Sequence, residues 1–284
     1  YTVRVVSSTV TPARPLVSGA SATGLLAVQT FVNGNVNRVG GETPTSQDAA
    51  VNSGSQSLAS LTTSTTTAQS VAALTVGSTA ITAVDFGFNF STVTNTNDTG
   101  AGSLRQFILN SNALANTNLD QAAFNGTVAS GTTGADPAAG VETSIFMLSD
   151  GRASGAPAGL RDGLAAPAGY NATTGFTFTA ATALPTITDA ATALDGNKQA
   201  NLTGNKVAAV AETTTGPEVT INFNAARGLQ ITGASAQIAS LGLSGARGDN
   251  SFTQGAAIYL NGSAGSVVAD VTVTNNETGG IRLD

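Results

Sequence analysis

Apolar residues along this 284-residue chain fall in short runs with a period of two, separated by tracts of Gly, Ser, Thr and Asn. That texture belongs to β-strands and turns. In the first ninety residues the runs at 1–6, 24–32, 70–76 and 80–90 predict strands, and Asn52–Ser57 reads as a loop by composition. Phe86, Phe88 and Phe90 alternate onto one face, which predicts a half-buried antiparallel strand. Residues 95–102 are turn-rich, and Ser103-Leu104-Arg105-Gln106 is a capping box, in which the Ser hydroxyl accepts from the N3 amide and Gln106 reaches back to the cap amide. Leu104, Phe107 and Ile108 then form one apolar stripe on a helix of about three turns, a stripe that needs a surface to cover. Between 120 and 215 the chain predicts long loops around strand-like runs at 143–148, 175–179 and 184–188.

From Val219 onward the runs recur. Ile238, Leu241 and Leu243 align with Val268, Val271 and Val273 at one constant offset of 30, and Leu229/Ile231 recurs at Ile258/Leu260 and again at Ile281/Leu283. Periods of this size signal stacked supersecondary units. Short strands and few helix formers argue against leucine-rich or βαβ repeats and point to parallel β-helix coils, with these twelve apolar residues inside. The alternative is an ordinary β-sandwich in which the spacing is a coincidence.

Composition narrows the function classes. Hydrophobic residues make up 41% but charged residues only 10%, against about 25% in an ordinary soluble domain. Solubility must therefore come from Ser, Thr, Asn and Gly, as on many extracellular surfaces. A net charge of −6 with lysine only at Lys198 and Lys206 leaves no basic stripe for a phosphate backbone, so nucleic acid is not an expected partner. The chain contains no cysteine and no histidine, which removes disulfides, thiolate metal sites, Ser-His-Asp and Cys-His catalysis. No run approaches the roughly 18 apolar residues of a membrane span.

The stretch Thr94–Asn112, TNTNDTGAGSLRQFILNSN, resembles the segment that opens many bacterial surface β-helix proteins, of the form N-x-N-D-x-G-x-G-S-L-R-Q-A-I-x-x-A-N. Leu184–Thr188, Leu194-Asp195-Gly196, Gly228–Thr232 and Ile238–Leu243 resemble the first coils of the same family, although Ala193-Leu194 replaces its usual β-branched pair. Tyr1–Val6 and Thr82–Phe90 more loosely resemble strands of the SdrD B-like and carboxypeptidase-regulatory-like sandwich modules of surface proteins. That likeness covers only the C-terminal part of such a module; calcium-binding turns of that family lie largely upstream, so no ligand carries over. An intramolecular Lys–Asn crosslink is not expected, since no Lys precedes Lys198.

The resemblances imply an all-β protein: 1–90 as the C-terminal part of a β-sandwich surface module, and 91–284 as the N-terminal cap and first coils of a right-handed parallel β-helix. They imply a non-enzymatic bacterial secreted or cell-surface protein, such as a stalk, adhesin or fibre component. The alternative is a polysaccharide lyase or hydrolase whose catalytic coils lie outside this sequence. Asp249, Asp270, Glu277, Asp284, Arg227, Arg247 and Arg282 read as solubilising charges, with Asp270 and Arg282 pointing outward, because they form no paired-carboxylate or basic cluster. No catalytic, cofactor-binding or metal-ligating residue is expected, nor any cofactor. One carboxylate at Asn97-Asp98 is too few for calcium and reads as a turn held by side-chain to backbone hydrogen bonds. Asn275-Asn276 reads as a corner ladder stacking on its equivalent in a neighbouring coil. Expected partners are other copies of the chain or other surface proteins, with carbohydrate as a further candidate. The opening strand Tyr1–Val6 and the final Ile281–Asp284 read as cut from a longer polypeptide, with strand addition between copies as one way of satisfying them.

Overall fold

The computed structural model describes residues 1–32, 36–45, 69–82, 84–121, 137–157, 159–199, 217–248 and 255–284. The tract Asn52–Ser57, Lys206 and Asp249 lie outside these. The fold is all-β, mostly sheet, with the α-helix Leu104–Ala113, a helical stretch at 197–199 and a 3₁₀ turn (Ser7–Thr9) among the described residues.

The first ninety residues hold antiparallel strands. β1 (Thr2–Val5) pairs with β4 (Ser70–Ala73), while β2 (Val28–Val32) lies between β3 (Val36–Asn37) and β5 (Phe86–Asn89). Phe86 and Phe88 share a face as their spacing requires, their rings 6.4 Å apart and stacked. Tyr1–Val6 is not left without a partner: the Tyr1 ammonium donates to Leu74 O at 2.8 Å and β1 bonds along β4 of the same chain. The boundary expected at residue 90 is crossed by contacts, since Val28 and Val39 share a core with Met147, Leu160 and Leu164.

Beyond residue 90, β6 (Thr92–Val93) leads into α1 (Leu104–Ala113), followed by β7 (Glu142–Thr143), β8 (Ile145–Phe146), β9 (Tyr170–Asn171), β10 (Gly175–Thr179), β11 (Thr192–Asp195), β12 (Val219–Asn222) and β13 (Leu229–Ile231). Then come β14 (Gln237–Ala239), β15 (Leu241–Ser244), β16 (Ala256–Leu260), β17 (Val267–Ala269), β18 (Thr272–Thr274) and β19 (Gly279–Leu283). They assemble into three parallel ladders: β7-β11-β14-β17, β10-β12-β15-β18 with β9 antiparallel at its start, and β13-β16-β19. A short parallel pair, β6-β8, joins them. The recurring apolar residues are Cα partners: Ile238 faces Val268, Leu243 faces Val273, Leu229 faces Ile258 and Ile258 faces Ile281.

Alternation decides what is inside. In β13 Leu229 and Ile231 are buried while Gln230 between them is not, and Val219 and Ile221 do the same in β12. One core cluster takes in these residues with Ile238, Leu241, Leu243, Ile258 and Leu260. Each fully buried Leu, Ile or Phe contributes about 1.5–3 kcal/mol. The expectation of twelve interior residues is corrected at its far end, where Val268, Val271 and Val273 are half-buried and Ile281 and Leu283 are 47% and 70% exposed. Only one side of β17, β18 and β19 carries a neighbouring strand, so nothing described covers their outer flank.

Several strand readings change, and of the run 80–90 only Phe86–Asn89 is a strand. The run 24–32 becomes a strand only at Val28, because the side chain of Asn110 occupies both backbone groups of Leu26. The run 184–188 keeps a single bridge, Ile187 to Ile231. Pro185 has no N–H to give, and Asn112 takes Thr186 O and Thr188 N. Thr192–Asp195, absent from the runs expected to be strands, is a strand between β7 and β14, and the chain turns at Gly196.

The stripe of α1 is buried as anticipated: Leu104, Phe107 and Ile108 join the core cluster that holds Val93, Phe146, Phe176 and Ile187. Phe107→Ala should therefore lower stability by about 3–5 kcal/mol in thermal or urea unfolding. Leu109→Ala on the same helix, at a site 43% exposed, should stay within about 0.5 kcal/mol.

Candidate functional site

The segment that carries the family resemblance is a hub of hydrogen bonds. Asn95, fully buried, donates from Nδ2 to Ala101 O (2.9 Å) and Pro44 O (2.7 Å) and accepts on Oδ1 from Asn97 N (3.1 Å). Gly100 and Gly102 both have left-handed backbones, with φ of 94° and 79°; at Gly102 a Cβ would also strike Thr94 Oγ1. Ser103 Oγ accepts from Gln106 N at 3.1 Å, which caps α1.

The reciprocal half of the capping box is absent. Ser103 N donates to Gly100 O, and Gln106 Nε2 donates instead to Gly24 O (2.8 Å) and Asn110 Oδ1 (2.9 Å). Packing of residues 24–28 over the helix offers that amide a partly buried acceptor in Gly24 O, while the cap amide is already satisfied by Gly100 O. Asp98 does not hold the turn either. Its Oδ1 accepts from Ala181 N and from Arg105 Nη2, both at 2.9 Å. Arg105 then reaches Ala183 O (2.6 Å) and Thr182 O (2.8 Å), so the ion pair fastens α1 to residues 181–183.

Four side-chain amides imitate a neighbouring strand. Asn110 accepts from Leu26 N at 3.2 Å and donates to Leu26 O at 2.9 Å. Gln121 accepts from Thr143 N at 2.7 Å and donates to Thr143 O at 3.0 Å. Gln199 does the same for Leu148, at 2.8 and 3.0 Å. Asn112 accepts from Thr188 N (2.8 Å) and donates to Thr186 O (2.7 Å). A primary amide has the donor and acceptor of a peptide group in the same plane, so it satisfies a strand edge without offering a new one.

All three ladders are terminated on this side: β7 by Gln121, β10 by the antiparallel β9, and the 186–188 segment beside β13 by Asn112. Bare edges would template pairing with another chain.

The charges singled out in the sequence are dispersed. Asp270 is exposed at a corner with φ of 51°. Glu277 Oε2 accepts from Gly248 N at 2.8 Å, and Arg227 donates to Leu184 O at 2.9 Å. Arg247 is exposed, while Arg282 and Asp284 form an exposed fork beside the Tyr259 hydroxyl. Asn276 spans neighbouring corners by accepting from Ala246 N at 2.7 Å. It does not stack on an equivalent amide, because the aligned positions 30 residues earlier are Gly245 and Ala246.

Sequence reasoning missed one cluster. Glu142, fully buried in β7, receives the Arg14 guanidinium on both oxygens (2.7 and 3.0 Å) and the Ser91 hydroxyl at 2.9 Å. Asp189, at the corner before β11, accepts from Asn116 Nδ2 at 2.7 Å. Burial first, and then the charge of Glu142, push the Asp189 carboxyl up to about 6. The two acids are 47 residues apart and sit in unrelated local patterns, so no spacing rule connects them. Glu142 has no exposed surface and both its oxygens are engaged, so it is not free to act as an acid or nucleophile on a substrate. Among the described residues no group of three or more His, Cys, Asp or Glu could hold a metal ion, and no helix is long and apolar enough to cross a membrane.

Replacing Gln121 by Ala removes both partners of Thr143 and should cost about 1–3 kcal/mol through buried unsatisfied backbone groups, read as a lower urea midpoint. Compared with known proteins, the chain matches no family model, no curated protein and no solved structure.

Proposed function

We propose that the chain is a non-enzymatic structural protein of the bacterial cell surface or extracellular space. In this reading residues 91–284 form the capped first coils of a right-handed parallel β-helix, and the antiparallel strands before residue 90 belong to a small surface module attached to it. The observation that carries the proposal is the set of three parallel ladders, running side by side from one terminated end, in which apolar residues of successive strands are paired in register. Such an arrangement is stiff along the ladder direction, because each added strand contacts only its neighbours. That suits a spacer or stalk.

The chemistry agrees with this role. The buried ion pair and most of the buried amides hold backbone or one another, while Arg247, Asp270 and Glu277 lie exposed between the ladder strands. Polar surface comes from uncharged side chains, which suits contact with other surface proteins, other copies of the chain or carbohydrate.

The test combines location and activity. Antibodies against the chain should label intact, unpermeabilised cells, and the purified protein should release no reducing or unsaturated oligosaccharide from a panel of surface polysaccharides. Sugar release abolished by substitution of an acidic residue would replace this reading with that of a carbohydrate-active enzyme.

A further inference from the structure

The segment Arg14–Val17 lies along the C-terminal end of α1. Val17 N donates to Ala113 O at 2.9 Å, Ala115 N donates to Pro15 O at 2.9 Å, and Leu16 bridges Leu114. From this segment the Arg14 guanidinium forks onto Glu142 and also donates to Asn116 Oδ1 at 3.4 Å. The other end of the same Asn116 side chain donates to Asp189 Oδ2. Thr192 Oγ1 stands 3.4 Å from that carboxylate oxygen and 2.7 Å from Ser111 Oγ of α1. The result is one continuous polar path, Ser91–Glu142–Arg14–Asn116–Asp189–Thr192–Ser111. It joins the N-terminal segment, the helix end and strands β7 and β11.

The path holds two carboxyl groups and one cation. Arg14 comes from the N-terminal segment and Glu142 from β7. Asn116, Ser111 and Asn112 (whose Oδ1 accepts from Asp189 N at 3.3 Å) come from α1 and the residues after it, and Thr192 from β11. Arg14 is spent on Glu142, so Asp189 faces a like charge with only neutral hydrogen-bond donors to offset it. With Asp189 protonated the path is electrically balanced; ionised, it carries one uncompensated negative charge in a partly desolvated seam.

We propose that Asp189 is an acid-set latch on the N-terminal segment: protonated, it holds residues 14–17 closed over the helix end, and ionised, it loosens that seam while the ladders stay intact. The charge balance along the path gives the direction, and the raised carboxyl of Asp189, at about 6, gives the range. The unfolded or opened chain releases this proton near the usual carboxylate value of about 3.9, whereas the closed seam retains it to about 6. The closed form therefore binds more protons between those values. Its stability is greatest below the opened-state value, falls as pH rises through the window, and levels off above about 6. An environment turning from acidic to neutral would release the N-terminal segment.

Hydrogen exchange of the amides of Val17 and Ala115, corrected for intrinsic rates and measured between about pH 4.5 and about pH 7.5, reads the seam. In the wild type their protection should fall by roughly tenfold across that range, while the amides of Ile221 and Leu243 in the ladders keep theirs. Asp189→Asn, which fixes the neutral form, should hold the seam amides at their acidic-side protection throughout. Arg14→Gln, which leaves both acids without a cation, should leave the seam open at the neutral end and move the transition to lower protection. Equal pH dependence in wild type and Asp189→Asn would overturn the proposal. So would a loss of protection shared equally by Ile221 and Leu243, since that reports global destabilisation and no latch.

Discussion

Everything in this fold depends on finding a partner for the backbone N–H and C=O groups on the first strand of each ladder. A strand edge buried without partners costs free energy, and one left exposed invites pairing with another chain. The chain has few charges with which to repel such pairing. It uses the amides of Gln121 and Asn112 and the short antiparallel strand Tyr170–Asn171 instead. Asn110 and Gln199 do the same for Leu26 and Leu148, where irregular segments pass over the helix or leave β8. A side-chain amide is suited to this because it offers one donor and one acceptor to the backbone and then stops.

Once the edges are satisfied, the ladders need only corners and a core. Corners recur in equivalent places: Ser235 with Gly265, Ser240 with Asp270, and Gly245 with Asn275 all have positive φ, each pair 30 residues apart. A left-handed conformation at a non-glycine residue costs about 1–2 kcal/mol, and short polar side chains reduce that cost by bonding locally. Asn222 shows the local version, accepting from Asn224 N at 2.9 Å beside the left-handed pair Asn224-Ala225. The core is continuous from α1 to β16, so the helix and the ladders stand or fall together.

Part of the first ninety residues packs against the later chain. Residues 14–28 lie across α1, reaching it through Leu16, Gly24 and Leu26, and Arg14 passes on to Glu142 in β7. This makes the helix a two-sided object. Its apolar stripe faces the ladders, while Gln106 and Asn110 hold the incoming chain. The Arg14–Glu142 pair and its neighbour Asp189 lie where these layers meet, which is why a single proton there reaches three parts of the structure.

Much of the ladder region was legible along the chain. Periodicity of two with a constant offset sets which residues face inward and which partner they meet, because side chains alternate along a strand and equivalent strands pair in register. The helix start was legible as well, since Ser103 and the stripe of Leu104, Phe107 and Ile108 are local features. What local pattern could not supply were interactions between segments far apart: Gln121 with Thr143, Asn112 with Thr186 and Thr188, Gln106 with Gly24, and Arg14 with Glu142 beside Asp189. An amide or a carboxylate has the same local signature whether it faces water or a distant backbone group. Its partner is chosen by how the chain crosses over itself, so the sequence by itself determined the recurring strands from Leu229 on, their register and the Ser103 cap, and only the tertiary structure decided where the earlier strands begin and end, which polar side chains terminate the ladders and which acid is left to titrate.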